Sequence, residues 1–442
     1  MPPARTFYWI AGAISIVAVA WLGISVYSRY RVDAQLNALV NPPASDTGWG
    51  LKDLTHRRGL MTSAGEVNLV HRFYCSDSGS AATPAGLVLS PFGGHITYHV
   101  SHAVTPSGLT RFSWTMTPSG SGAAEIKAMI GPDAQITGEG SVGVTGELST
   151  SIHLPPVKVT GGGESIQFPA STGRVKFSQN AFVANWQLDK AAVRSASGAA
   201  VLAENLRVAL DISDLQRGLG TSSIAIDKLS SSLGVAEGIT LESEVRQHGD
   251  SVDLRLAPSI KSVKVADREA KDLTMEFALR GVLAHAVDQL RRHQHQLCET
   301  PQEKSTVAQH HIEAVRALVG HGLSLGIPKL HAAIGSGSLN GHLMIDLLPS
   351  TDAAQDVATV ERRLKATGQF QFKGEVMPQA ESNAIVLLGL AERTADGFKT
   401  TLQYDDRMLR VNGRVFDAAP VHAVLEQLNA ELTGVEENAG LR

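Results

Sequence analysis

Alternation between apolar and polar residues is the feature that most constrains the fold of this chain. From Ala134 to Leu154 the even-numbered positions are mostly apolar or glycine, and the odd-numbered positions are mostly polar. A period of two places the two sets on opposite faces of a β-strand. One straight strand of this length would extend for about 70 Å at roughly 3.3 Å per residue, far beyond a usual strand. The stretch therefore predicts a strand bent at its glycines, or two strands in a curved sheet.

The same alternation recurs along most of the chain. Further runs are Gly65–Phe73, Arg174–Phe177, Ala181–Leu188, Asn205–Ile212, Ile239–Arg246, Ser251–Leu256 and Leu273–Leu279. One apolar face and one solvated face are typical of antiparallel sheets, whereas parallel sheets are covered on both faces. We therefore predict a mainly β fold with α decoration (α+β), built on a long curved antiparallel sheet.

A helical pattern replaces the alternation after Gly281. Leu283, Val287 and Leu290 have helical spacing, and a second helix is marked by Val315 and Leu318. Strands are predicted to return at Leu339–Leu347, Leu364–Phe372, Phe398–Tyr404 and Arg407–Val411, and an amphipathic helix at Pro420–Leu432. The pair Asn412-Gly413 predicts a tight turn.

The segment Phe7–Tyr27 contains 21 residues without a charge. A helix of this length would span the roughly 30 Å hydrocarbon core of a bilayer, and aromatic residues cluster at both of its ends. A cleaved signal peptide is the alternative, because Ala18-Val19-Ala20 matches a cleavage pattern. The apolar run continues beyond that site to Trp21 and Val26, which favours an uncleaved transmembrane anchor.

Composition excludes some classes of function. The formal net charge is −4 and aromatic residues make up 5% of the 442 positions, so we predict no nucleic-acid partner. The only two cysteines, Cys75 and Cys298, are compatible with a disulfide or with two buried thiols.

No motif in the sequence supports catalysis or cofactor binding. Gly138, Gly140 and Gly143 match the G-x-G-x-x-G spacing, but they lie in an alternating run with no helix after it, unlike a dinucleotide site. Among the 16 histidines, His95 and His99 share a face of a predicted strand about 13 Å apart, too far to chelate one ion. We therefore predict no catalytic, cofactor-binding or metal site, and a protein that is not an enzyme.

Three stretches resemble a known family. They are His56-Arg57-Arg58-Gly59-Leu60-Met61-Thr62-Ser63-Ala64-Gly65-Glu66, the strand-then-helix segment Leu273–Gln289, and Leu409-Arg410-Val411-Asn412-Gly413-Arg414. Together with the single anchor, they resemble the YdgA-like family of bacterial inner-membrane-anchored proteins, a domain of unknown function. Met61 and Arg414 depart from the family pattern, which more often has an aromatic residue and a lysine at these places.

The resemblance implies a location and a type of surface. A relation to the AsmA-like group implies curved sheets with an apolar groove, an ectodomain in the periplasm and contact with lipid. The implied organisation is a cytoplasmic tail at 1–6, a transmembrane anchor at 7–27, a β-rich ectodomain part at 28–280 and an α+β part of the same ectodomain at 281–442. The chain would then be a single-pass protein of the bacterial inner membrane.

Two functions remain open at this stage. The first is a non-enzymatic envelope protein that binds or shields lipid along the sheet, with its groove lined by the apolar positions Ile136, Val142, Val144, Leu148 and Ile152. The alternative is a structural or protein-interaction module whose β core is closed by its own helices. An enzyme is the third possibility, and it would require three histidines that converge in the fold.

Overall fold

In the computed structural model, the fold is mainly antiparallel β-sheet with a few short helices. The structure describes residues 49–59, 61–71, 81–82, 88–89, 93–102, 110–120, 122–143, 145–161, 164–178, 180–215, 217–266, 268–294, 310, 313–350, 360–417 and 419. The chain divides into two compact units, Met1–Ala196 and Ser197–Arg442. The mainly antiparallel β architecture agrees with the predicted fold class. The predicted domain boundary after residue 280 stays a prediction.

The described part of the first unit contains twelve strands and one helix. They are β1 (Trp49–Arg58), β2 (Thr62–His71), β3 (Ala81–Ala82), β4 (Val88–Leu89), β5 (Gly93–Ser101), β6 (Thr110–Ser119), α1 (Ala123–Ile130), β7 (Ile136–Val142), β8 (Leu148–Leu154), β9 (Val157–Gly161), β10 (Glu164–Phe168), β11 (Ser171–Ser178) and β12 (Ala181–Arg194). β3 pairs only with β4. The other strands pair antiparallel, and α1 packs against β6 and β9.

Prolines interrupt two long strands of this unit. β8 pairs with β11 and β9 pairs with β10, and the register continues unchanged across the break. β10 and β11 likewise follow one register along β12. The breaks fall at Pro155-Pro156 and at Pro169, where proline has no amide hydrogen for a ladder hydrogen bond. If β8 and β9 are counted as one strand, and β10 and β11 as another, the strands from β1 to β12 form a simple meander, apart from the separate pair β3 and β4.

The second unit contains longer strands and most of the helices. Its elements are β13 (Ala200–Asp214), β14 (Leu219–Ser231), β15 (Gly234–His248), β16 (Ser251–Val265), β17 (Arg268–Leu283), α2 (Ala284–Gln294), α3 (313–321), β18 (Leu323–Ile334), β19 (Gly337–Leu347), α4 (Val360–Arg363), β20 (Leu364–Lys373), α5 (Gln379–Leu387), β21 (Glu392–Thr394), β22 (Gly397–Asp405), β23 (Met408–Val411) and β24 (Arg414–Phe416). Consecutive strands from β13 to β20 pair antiparallel, and β20 pairs with β22.

Apolar side chains stand opposite one another across the second unit. Leu206, Ile226, Ile239, Ile260 and Leu273 occupy facing positions on β13 to β17. Cross-strand pairs of branched side chains are the unit of stabilisation of such a face. A separate core lies between β20 and β22, where the buried Ala366 and Tyr404 pack with half-buried neighbours.

The alternating stretch Ala134–Leu154 forms two strands, β7 and β8, joined at residues 143–147. This is one of the two arrangements that its length predicts. The helical pattern after Gly281 is confirmed by α2, and the predicted strands at residues 339–347, 364–372 and 398–404 are confirmed by β19, β20 and β22.

Two predicted elements lie outside the described residues, namely the anchor Phe7–Tyr27 and the helix Pro420–Leu432. Within the part of the chain that the structure describes, no helix has the length and apolar character needed to cross a bilayer.

Candidate functional site

An apolar cavity of about 640 Å³ lies on one face of the first unit. Its wall is formed by side chains of β2, β5, β6, β7, β8, β11 and β12. The lining residues are Val67, Leu69, Ile96, Tyr98, Val100, Thr110, Phe112, Trp114, Met116, Ile136, Val142, Leu148, Thr150, Ile152, Leu154, Phe177 and Trp186. None of these described residues is charged, and the volume is within the range of about 300–1,000 Å³ that is usual for ligand pockets.

Four of the five predicted groove residues line this apolar cavity. Ile136 and Val142 come from β7, and Leu148 and Ile152 come from β8. Val142 stands opposite Leu148 across the strand pair and is only 5% exposed, so it lies at the base of the cavity. The fifth predicted residue, Val144, lies outside the described residues.

The remaining wall residues come from distant parts of the sequence. Ile96, Phe112, Trp114 and Trp186 belong to β5, β6 and β12. Alternation shows which face of its own strand a residue occupies, but it does not show which strands become neighbours. The pairings of β5 with β6 and of β6 with β7 bring these residues to the same face as the predicted ones.

Polar atoms of the cavity wall are bonded within the protein. The Nε1 group of Trp114 donates a hydrogen bond of 3.3 Å to the Thr150 hydroxyl, and that hydroxyl donates one of 3.2 Å to the Glu139 backbone carbonyl. The Nε1 group of Trp186 donates to the Ser171 hydroxyl at 3.1 Å. Because these donors are already satisfied, the wall offers dispersion contacts and burial of apolar surface rather than acid–base chemistry.

Glycines on the neighbouring strands make room for the aromatic rings of the wall. A Cβ atom at Gly138 would lie 2.3 Å from Trp114 Cε2, and one at Gly173 would lie 1.9 Å from Trp186 Cε3. Each ring therefore lies over the backbone of the strand beside it, which leaves the cavity unfilled. Two glycines of the G-x-G-x-x-G match, Gly138 and Gly140, serve this packing on β7, and the chain continues into strand β8 rather than into a helix.

Most of the cavity wall remains accessible from solvent in the described structure. Val67, Tyr98, Val100, Thr110, Val142 and Thr150 are buried. Most other lining side chains are half-buried, and Phe177 is 41% exposed. A fully closed core would bury these apolar residues, so the described strands form one open layer here.

His95, His99 and His102, which are close in sequence, lie in different environments. His95 Nδ1 donates to Asn68 Oδ1 at 3.0 Å, whereas His99 is exposed. His102 Nε2 lies 2.8 Å from the Ser63 hydroxyl, but these two residues are 0% and 3% exposed, too enclosed to meet a substrate. Among the described residues, no group of three or more histidine, cysteine, aspartate or glutamate side chains is arranged to hold a metal ion. Cys75 and Cys298 lie outside the described residues.

The family of the chain follows from comparison with known sequences. A family model described as bacterial protein of unknown function (DUF945) matches residues 7–419, so the chain belongs to this family. The YdgA-like name is consistent with the match, and the relation to the AsmA-like group stays a prediction. No curated protein and no solved structure matches the chain.

Proposed function

We propose that this DUF945 protein binds the hydrocarbon part of a lipid in the apolar cavity of its first unit. The single observation that supports the proposal is an open cavity of about 640 Å³ whose lining residues carry no charge. Transfer of apolar surface from water into such a site is favourable by about 0.8 kcal/mol for each buried methylene. Because the donors of the wall already have partners in the protein, a ligand needs no polar group deep in the cavity.

The proposed location is the bacterial inner membrane, with residues 1–6 in the cytoplasm, the segment 7–27 as a single anchor and residues 28–442 in the periplasm. The support is the uncharged run of 21 residues and the resemblance described above. A tether of this kind would keep the cavity close to the bilayer, so that an acyl chain could move between the two with little exposure to water. In this proposal the protein is not an enzyme and needs no cofactor.

Photocrosslinking in the full-length chain tests the proposal directly. Ile152 and Ser151 are neighbours on β8, but only Ile152 lines the apolar cavity, while Ser151 lies on the opposite face. Two variants, Ile152→p-benzoylphenylalanine and Ser151→p-benzoylphenylalanine, would be expressed in bacteria, irradiated and analysed by intact-protein mass spectrometry. We expect a mass increase that matches a lipid at position 152 and none at position 151.

The alternative function gives a different result in the same experiment. A structural or protein-interaction module with a closed β core would give protein–protein adducts, or no adduct, at position 152. Absence of a lipid adduct from a folded Ile152→p-benzoylphenylalanine variant would overturn the lipid proposal and would direct attention to the partner protein.

A further inference from the structure

The face of the first unit opposite the apolar cavity carries a second concavity, of about 1110 Å³. We call it the basic cleft. Its lining side chains are mostly polar, and five of them are cations: Arg57, Arg58, Arg111, Arg174 and Lys176. Among the described lining residues, Glu139 is the one carboxylate. The proposed lipid site does not use this surface.

The strand register arranges the basic cleft in two parallel rows. One row runs through facing positions on β1, β2, β5, β6, β7, β8 and β11, and its members are Arg57, Ala64, His99, Ser113, Glu139, Ser151 and Arg174. The other row consists of Thr62, Ser101, Arg111, Ser141, Ser149 and Lys176. Six of the nine other positions in the two rows carry hydroxyl side chains.

Four cations of the basic cleft differ in their ion pairing from two arginines on the polar face of the second unit. In the second unit, Arg207 pairs with Asp227 and Arg255 pairs with Glu276 at 3.0 Å. Within the described part of the chain, no ion pair is formed by Arg57, Arg111, Arg174 or Lys176. Like charges gathered on one concave face without carboxylate partners attract an anion.

The spacing of the cations indicates an extended anion. Neighbouring strands lie about 4.8 Å apart, so three strand steps separate Arg111 from Lys176 by about 14 Å. Six steps separate Arg57 from Arg174, about 29 Å. Arg174 and Lys176 lie two residues apart on one face of β11 and can share one anionic group. A single phosphate would reach only one of these positions.

We propose that the basic cleft binds an extended molecule that carries several phosphate groups. Guanidinium groups match phosphate oxygens with paired hydrogen bonds, and the serine hydroxyls between them supply further donors. The concave shape favours a discrete chain over a flat bilayer surface. Among the described residues of the cleft there is no tryptophan or tyrosine on which nucleic-acid bases could stack, and Phe112 also lines the apolar cavity. We therefore expect the phosphates rather than bases to be the recognised groups.

The test uses the full-length chain in phosphatidylcholine nanodiscs, with inorganic polyphosphate as the probe. The double variant Arg111→Gln/Lys176→Gln is compared with Arg207→Gln/Arg255→Gln, which removes the same charge from the polar face of the second unit. Each lost charge-assisted hydrogen bond weakens binding by about tenfold. We expect a decrease of about a hundredfold for the first variant, with a shallower dependence on salt, and no more than about twofold for the second.

A second pair of variants gives a change of opposite sign. Glu139→Gln removes a carboxylate from the basic cleft, so it should tighten polyphosphate binding severalfold. Glu242→Gln, on the exposed surface of β15, makes the same change in net charge and should have little effect. All variants change side chains that are exposed, and circular dichroism would verify that each remains folded.

Three outcomes would overturn the proposal. One is equal binding by the Arg111→Gln/Lys176→Gln variant and its control. Another is binding of orthophosphate as tight as that of polyphosphate, since the site would then hold one anion only. The third is cleft-dependent binding of phosphatidylglycerol vesicles that exceeds binding of polyphosphate, since the surface would then contact a membrane. The photocrosslinking result at position 152 is independent of all three, so the two proposals can fail separately.

Discussion

At the scale of single residues, aromatic rings and glycines form matched pairs in the cavity wall. Trp114 faces Gly138, Phe112 faces Gly140 and Trp186 faces Gly173 across neighbouring strands. A ring that lies over glycine covers exposed backbone and remains close to the sheet. Glycine therefore contributes twice here, because it accepts the ring and leaves the space above the ring open for a ligand.

Replacement of Gly173 by alanine tests this packing. A Cβ atom there would lie 1.9 Å from Trp186 Cε3, so the indole must move. We expect Gly173→Ala to lower the free energy of unfolding by about 1–3 kcal/mol, the usual cost of overpacking, and to change tryptophan fluorescence. Urea unfolding gives the first quantity. The matched control is Gly320→Ala, where a Cβ atom meets no atom within 4 Å; a similar loss in both variants would contradict the explanation.

Tyr404 predicts a dependence of stability on alkaline pH. Tyr404 is only 3% exposed. This burial raises the pKa of its phenol above the ordinary value of 10.0, although the charge of Arg407 acts in the opposite direction. A raised pKa in the folded state means that the stabilisation is complete below about pH 10 and is lost as the pH rises through the folded value. Tyr404→Phe should therefore lose less stability than the natural chain between about pH 8 and pH 11 in urea titrations. Equal losses would show that Tyr404 does not titrate differently on folding.

At the scale of elements, two tight turns fix the hairpins between β22 and β24. Asp406 and Arg407 connect β22 to β23, and Asn412 and Gly413 connect β23 to β24, all with positive φ. Two consecutive residues of this kind match the twist of the strands they join. The amide of Asn412 also accepts a hydrogen bond of 2.8 Å from the backbone N–H of Thr401 and donates one of 3.2 Å to the Gly389 carbonyl.

Substitutions in these turns separate the contribution of the Asn412 side-chain hydrogen bonds from that of the positive φ angle. Asn412→Ala removes these two hydrogen bonds and a third, of 3.4 Å, that the Thr401 hydroxyl donates to the same amide oxygen. It also places a less tolerant residue at a φ of 50°, so we expect a loss of about 2–3 kcal/mol in the free energy of unfolding. Asp406→Ala keeps a similar backbone angle, with a φ of 47° at that position, and should lose only about 1 kcal/mol. Chemical denaturation of both variants measures the difference, and equal losses would mean that the amide bonds of Asn412 contribute nothing.

Local sequence patterns predict these elements unequally well. Alternation identifies β7 and β8, and Asn412-Gly413 identifies its turn, because both patterns depend only on neighbouring residues. The same alternation gives no sign of α1, a helix of only 8 residues. Alternation also does not show which distant segments pair, so Trp186 could not be assigned to the cavity. The rows of the basic cleft could not be predicted from the sequence for the same reason, since their residues are scattered from Arg57 to Lys176.

At the scale of the whole molecule, the proposed lipid site predicts how affinity changes with ligand size. Each methylene moved from water into the apolar cavity contributes about 0.8 kcal/mol, which corresponds to about a fourfold increase in affinity. We expect dissociation constants of saturated fatty acids to fall by this factor per methylene and then become constant once the cavity is filled. Displacement of a fluorescent fatty acid measures the series. Affinity that is independent of chain length would place the ligand outside the cavity.

Most of the described strands in each unit follow a meander, and this order has a consequence for the time course of folding. In the second unit, the strands from β13 to β20 pair with the strands that precede and follow them along the chain. Contacts that are close in sequence require only short loops to close, which favours rapid folding. A chain of this kind can add one hairpin at a time to an existing edge while its later segments are still being synthesised. We therefore expect its early strands to become ordered before the last ones are synthesised.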